Sequence, residues 1–178
     1  MKNPIIALVL GLILPLTASD LPIVVNPATP LTGTFAVEWN TATNFESWVT
    51  SGVTSATVGG GALSGTTNNG DPQVTRTIPV GSRPDLDLGF NDFLEIRMRV
   101  PANYADEVQI YYGTTSTTGF SADRLITIPN ATIPKNGAFN TYRIDVGPEP
   151  WWRASLQDLR VDPGNASGVA FAIDYIRV

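Results

Sequence analysis

Short runs of apolar–polar alternation, broken every few residues by turn formers, constrain this chain more than any other feature. In residues 93–100, Leu94, Ile96, Met98 and Val100 share one side, and Phe93, Glu95, Arg97 and Arg99 share the other. In 108–113, Val108, Ile110 and Tyr112 alternate with Gln109 and Tyr111. In 139–146, Tyr142, Ile144 and Val146 alternate with Arg143 and Asp145. A period of two sends neighbouring side chains to opposite faces of an extended strand. Further strands are expected at 35–39, 53–58, 62–66, 73–80, 124–128, 156–161 and 169–178. In the last of these, alternation groups Val169, Phe171, Ile173 and Tyr175, and sets Asp174 opposite them among Ala170, Ala172 and Ile176. Turn signals such as Asn69-Gly70-Asp71-Pro72 and Lys135-Asn136-Gly137 separate the runs. No stretch combines helical periodicity with capping residues over three turns. The expected fold is all-β, a two-sheet antiparallel β-sandwich of the jelly-roll type.

Three segments divide the 178 residues. Lys2 precedes an apolar run at 5–16, followed by Thr17, Ala18 and Ser19. That order of a positive start, a short apolar core and small residues predicts a secretory signal peptide at 1–19, with a retained anchor as the alternative. The run is short for a membrane span, so no membrane insertion of the mature chain is expected. Residues 20–33 carry three prolines and read as an extended leader or linker. The globular domain is expected at 34–178.

Without Lys2 the chain holds ten basic and sixteen acidic residues, a net charge of −6. Such a surface does not suit nucleic acid, which needs a positive stripe to displace counterions. There is no Cys, hence no disulfide, thiol nucleophile or thiolate metal site, and no His, hence no Ser-His-Asp triad or His-ligated zinc. Glu95 stands between Arg97 and the strand start with no carboxylate partner on its strand, and neighbouring arginines would spoil it as a general acid. The expectation is no enzyme.

What remains is binding. If the alternating strands are neighbours, Arg97, Arg99, Gln109, Tyr111, Arg143 and Asp145 form one polar surface carrying a tyrosine. A sheet face of this kind is where such a domain could hold an extended ligand. Trp39, Trp48 and one of the Trp151–Trp152 pair are expected in the core. Adjacent residues cannot both point inward, so Trp151 joins the candidate ligand-binding set as the exposed member. The alternative for the whole set is a solvated face with cross-strand ion pairs.

Several motifs occur in a telling order: Glu38-Trp39-Asn40 and Asn44-Phe45-Glu46-Ser47-Trp48, then Gly61-Ala62-Leu63-Ser64-Gly65 with Asp71-Pro72, then Tyr111-Tyr112-Gly113-Thr114 with Phe120. The tail adds Thr141-Tyr142-Arg143-Ile144-Asp145, Trp152, Leu159-Arg160-Val161-Asp162-Pro163 and Ile173-Asp174-Tyr175-Ile176. Together they resemble galactose-binding-like carbohydrate-binding β-sandwiches over about residues 34–178. The resemblance implies a jelly roll that binds a polysaccharide or cell-surface glycan and is secreted or displayed at the cell surface. It also implies a structural calcium ion (Ca2+) near the first and last strands, at Glu38 and Asp174; the competing view pairs Asp174 with an arginine. Asp162-Pro163 reads as a turn device. A second expectation comes from another class. An extracellular structural subunit would self-assemble into a homo-oligomer through residues 20–33, with Ile23-Val24-Val25 pairing onto a neighbour's sheet edge.

Overall fold

The computed structural model describes residues 21–68 and 70–178. The expected signal peptide at 1–19 lies outside the described residues, as do Asp20 and Asn69. Twelve strands run through the described residues: β1 (Ile23–Val25), β2 (Ala36–Glu38), β3 (Val49–Ser51), β4 (Val53–Gly59), β5 (Ala62–Thr67), β6 (Gln73–Thr77), β7 (Phe93–Arg99), β8 (Val108–Thr114), β9 (Leu125–Ile128), β10 (Asn140–Asp145), β11 (Leu156–Asp162) and β12 (Ala170–Arg177). All ten expected strands are present, and β1 and β3 are additional. Both additions are three residues long, too short for a period of two to register.

The strands form two antiparallel sheets. One runs in the order β1-β10-β7-β12-β5-β4, with β2 paired to the far half of β12; the other runs β3-β6-β11-β8-β9. The chain passes repeatedly from one sheet to the other, which makes the expected jelly-roll sandwich. Leu94, Ile96 and Met98 of β7, Ile110 and Tyr112 of β8, and Tyr142 and Ile144 of β10 all turn inward and are buried in one core. Each such aliphatic side chain contributes roughly 1.5–3 kcal/mol by leaving water. Trp39 and Trp48 are core residues too, their rings 5.7 Å apart. Trp152 is buried edge-on to Tyr112 at 5.0 Å and donates its indole N–H to the Asn91 carbonyl at 2.8 Å. Its neighbour Trp151 is 40% exposed.

Three expectations change. First, β8 belongs to the five-stranded sheet, whereas β7 and β10 adjoin in the seven-stranded one. The surface expected from all three strands is therefore two surfaces, on opposite sides of the sandwich. Second, β12 slips by one residue against β7: Ile173 faces Met98, but Tyr175 faces Arg97. The extra residue, Asp174, makes a β-bulge. Alternation alone groups Tyr175 with Ile173 and Ile176 with Asp174; the bulge reverses both, so Ile176 returns to the core opposite Ile96.

Third, the leader is part of the domain. β1 pairs with β10 of its own chain, Ile23 opposite Ile144 and Val25 opposite Tyr142. The following residues cross the outer face of the seven-stranded sheet. Arg143 donates to the Thr29 carbonyl at 2.5 Å, and Arg177 to the Leu31 carbonyl at 3.1 Å. Glu95, 0% exposed, lies beneath this strap. Its carboxylate accepts from the Leu31 amide at 3.0 Å, the Tyr175 hydroxyl at 2.9 Å and Arg143 at 2.6 and 2.9 Å. A residue read from the sequence as solvent-facing is thus the anchor of the strap. The strand donor invoked for self-assembly is already paired within the chain.

Candidate functional site

The outer face of the five-stranded sheet is built by alternation and register. On β8, Gln109, Tyr111 and Gly113 face out; opposite them on β11 stand Asp162, Arg160 and Asp158. On β6, Thr75 and Thr77 stand opposite Arg160 and Asp158, and on β3 Val49 stands opposite Thr75. The guanidinium of Arg160 lies 4.8 Å from the centre of the Tyr111 ring. It donates to Asp162 at 2.6 and 2.7 Å and also bonds to Asp71. Asp162, read from the sequence as a turn device, is therefore the partner of an arginine. The hydrogen bond from Arg160 to Asp162 holds the guanidinium firmly protonated. Tyr111 donates to the Gln109 side chain at 3.1 Å, and burial pushes its phenol above the usual range, so the hydroxyl keeps its proton. The centre of the face is thus a fixed polar platform, its long side chains already ordered.

One end of that platform has a wall. The loop between β8 and β9 folds back over Gly113, where an added Cβ would stand 3.0 Å from the Gly119 carbonyl oxygen and 3.1 Å from Asp158. Only glycine at that position lets the loop approach so closely. Buried Arg124 holds the loop by donating to the carbonyls of Thr118 at 3.3 Å and Gly119 at 3.1 Å. The result places Phe120, 38% exposed, across from Val49, 65% exposed. Between them lies a cleft of about 290 Å³ lined by Ser47, Val49, Thr75, Arg76, Thr77 and Phe120. An exposed ring, a facing valine and three hydroxyls suit the alternating C–H and O–H surfaces of a sugar.

The candidate residues from the sequence fall in four places. Gln109 and Tyr111 belong to this face. Arg97, Arg99, Arg143 and Asp145 lie on the outer side of the seven-stranded sheet, with Arg143 committed to Glu95 and Thr29. Trp151 stands on the loop between β10 and β11. Glu38 ends β2 beside β12, and Asp174 is the bulge residue of β12 itself. Glu38 accepts from Arg177 at 2.5 Å and from the Asn40 amide at 3.0 Å, and the Arg177 bond holds its carboxyl below the usual range. Asp174 turns the other way, to an ion pair with Arg97 on β7. The two carboxylates therefore face arginines on opposite sides of one strand. No cluster of three metal-ligating side chains occurs among the described residues.

Arg160, Asp158, Val49, Thr75 and Thr77 were not legible as site residues. Their signal was outward position on β3, β6 and β11, which becomes meaningful only once the strand order is known. Phe120 lay in a motif but outside any strand.

No protein-family model and no curated protein matches the chain. Among solved structures it is similar to carbohydrate-binding modules. One is a mutant of a family 29 module, 16% identical, with 88% of this chain and 91% of that chain covered at a TM-score of 0.45. Another is a family 6 module from Clostridium cellulolyticum in complex with xylose, 13% identical, covering 81% and 96% at 0.45. A third is the low-affinity xylan-binding module CBM86 from Roseburia intestinalis, 8% identical, covering 79% and 92% at 0.45.

Proposed function

We propose that this protein is a non-catalytic, exported carbohydrate-binding β-sandwich that holds a polysaccharide chain across the outer face of its five-stranded sheet. The observation that carries this reading is the cleft between Phe120 and Val49, continuous in the same sheet with the Tyr111–Arg160 platform. A sugar ring stacks on Phe120, its hydroxyls meet Thr75 and Thr77, and the next unit runs toward Tyr111 and Gln109. Asp71 and Asp162 pair with Arg160 and Asp158 lies on the same face, so an uncharged glycan is favoured over an acidic one. None of the residues lining the cleft carries a carboxylate, whereas glycoside hydrolysis ordinarily uses two.

The test is affinity electrophoresis and calorimetry on neutral polysaccharides such as xylans and β-glucans. Phe120→Ala and Tyr111→Ala should each weaken retention by about 5–30-fold, roughly 1–2 kcal/mol of lost ring contact. Thermal stability should change little for Phe120→Ala because its ring is already exposed. Unchanged retention by both variants would remove this face from the reading.

A further inference from the structure

A second surface, on the opposite side of the sandwich, has a different chemistry. Phe139 lies one residue beyond the Asn140–Met98 pair of β10 and β7, which sets it beside Arg99 at the far end of β7. Two guanidinium groups sit against its ring: Arg97 at 5.1 Å and Arg99 at 5.2 Å from the centroid. Two like charges held against one small ring repel each other, so the arrangement needs a reason or a counter-charge. Arg97 has one in Asp174. Arg99 forms no ion pair among the described residues, and its residue is exposed.

The other charges of this face do not supply one. Arg143 faces Glu95 and Arg177 faces Glu38. Asp145 pairs in register with Phe93, at the opposite end of β7 and β10 from Arg99. Six residues of strand separate those ends, roughly 20 Å and beyond the screening length at physiological salt. The positive charge is therefore local, in a chain whose net charge is −5. Beside Arg99 a small cleft of about 210 Å³ opens, lined by Val100, Pro101, Gly137, Ala170 and Phe171. A guanidinium stacked on a ring keeps its N–H edge free, and that edge matches two oxygens of a carboxylate or sulfate.

We propose that Arg99, with Arg97 and the Phe139 ring as its platform, is an anion-binding site for an acidic polysaccharide, taking one carboxylate or sulfate group while the adjoining sugar lies in the apolar cleft. The site is independent of the five-stranded face. A single uncompensated cation fits a polymer with one charge per sugar and does not suit the charge density of nucleic acid.

The experiment uses the full chain and two probes, polygalacturonate for the carboxylate and a sulfated galactan for the sulfate, measured by calorimetry at low salt. At least one should bind, and the one that does names the group. Arg99→Gln should raise its dissociation constant about tenfold, as expected for one charge-assisted contact. Phe139→Leu should weaken it by several fold, and salt at about 0.5 M should abolish it. Tyr111→Ala should leave it unchanged, and Arg99→Gln should leave neutral-glycan retention unchanged. Binding of neither probe, equal binding by Arg99→Gln and the parent, or loss of binding through Tyr111→Ala would each overturn the proposal, whatever the neutral-glycan result.

Discussion

Glu149 is buried where the loop after β10 packs under the sandwich, one oxygen 3.4 Å from the Tyr112 hydroxyl and the other without a hydrogen-bond partner. Burial raises its carboxyl above the ordinary value of 4.5, and the long Tyr112 bond only partly opposes that. The sign follows from linkage: a raised folded-state value favours the protonated form in the fold. Its contribution is complete below pH 4.5 and is lost as pH rises through the higher folded-state value. Glu149→Gln mimics the protonated state. It should therefore raise the melting temperature at pH 7 and lose that advantage near pH 4. Melting curves of both proteins across that range check the prediction. At this same scale the sequence was informative about which aromatics are core: Trp39, Trp48 and Trp152 are buried and Trp151 is not. Large rings in alternating or adjacent positions leave few choices of direction. Charged residues were less legible, because an outward Glu95 looks the same in sequence whether water or a strap covers it.

The strap formed by residues 21–33 has little sequence signature, yet it secures a buried ion pair. The Glu95 carboxylate sits in a region without solvent, and four bonds compensate its lost hydration: two from Arg143, one from Tyr175 and one from the Leu31 amide. Removing one partner of such a pair leaves the other charged and unpaired, at a cost of roughly 3–5 kcal/mol. Glu95→Ala should lower stability by that amount in denaturant titration and make the strap susceptible to proteolysis ahead of the rest of the chain. Glu95→Gln, which keeps the shape and an acceptor, should lose less. Equal, small losses from both would mean the strap is held by β1 alone. Strand β12 shows the other limit of element-level reading. Its alternation is regular in sequence, but the bulge at Asp174 shifts the faces beyond it. A bulge depends on what the neighbouring strand offers, here Arg97 of β7 as the ion-pair partner of Asp174.

For the whole molecule, the carboxylates at the junction of β2 and β12 are the feature of most consequence. Glu38 and Asp174 each have an arginine as counter-charge, on opposite sides of β12. A cation at this junction would have to displace both ion pairs to find two of the six to eight oxygens calcium prefers. Millimolar calcium, or a chelator, should therefore leave the melting temperature of the intact chain unchanged. A rise of several degrees with calcium would place a cation in the fold.

Alternation, turn residues and the lack of any helical period were enough to specify an all-β sandwich and most of its core, because burial of one strand face is a local property with a period of two. The absence of His and Cys likewise narrowed the chemistry without any coordinates. Tertiary structure alone decided which outward faces adjoin, since strand order depends on pairing between segments far apart in the chain. It separated Tyr111 from Arg97, carried Phe120 across to Val49, and closed residues 21–33 over Glu95. Each of those outcomes is a long-range contact whose energy no run of neighbouring residues encodes.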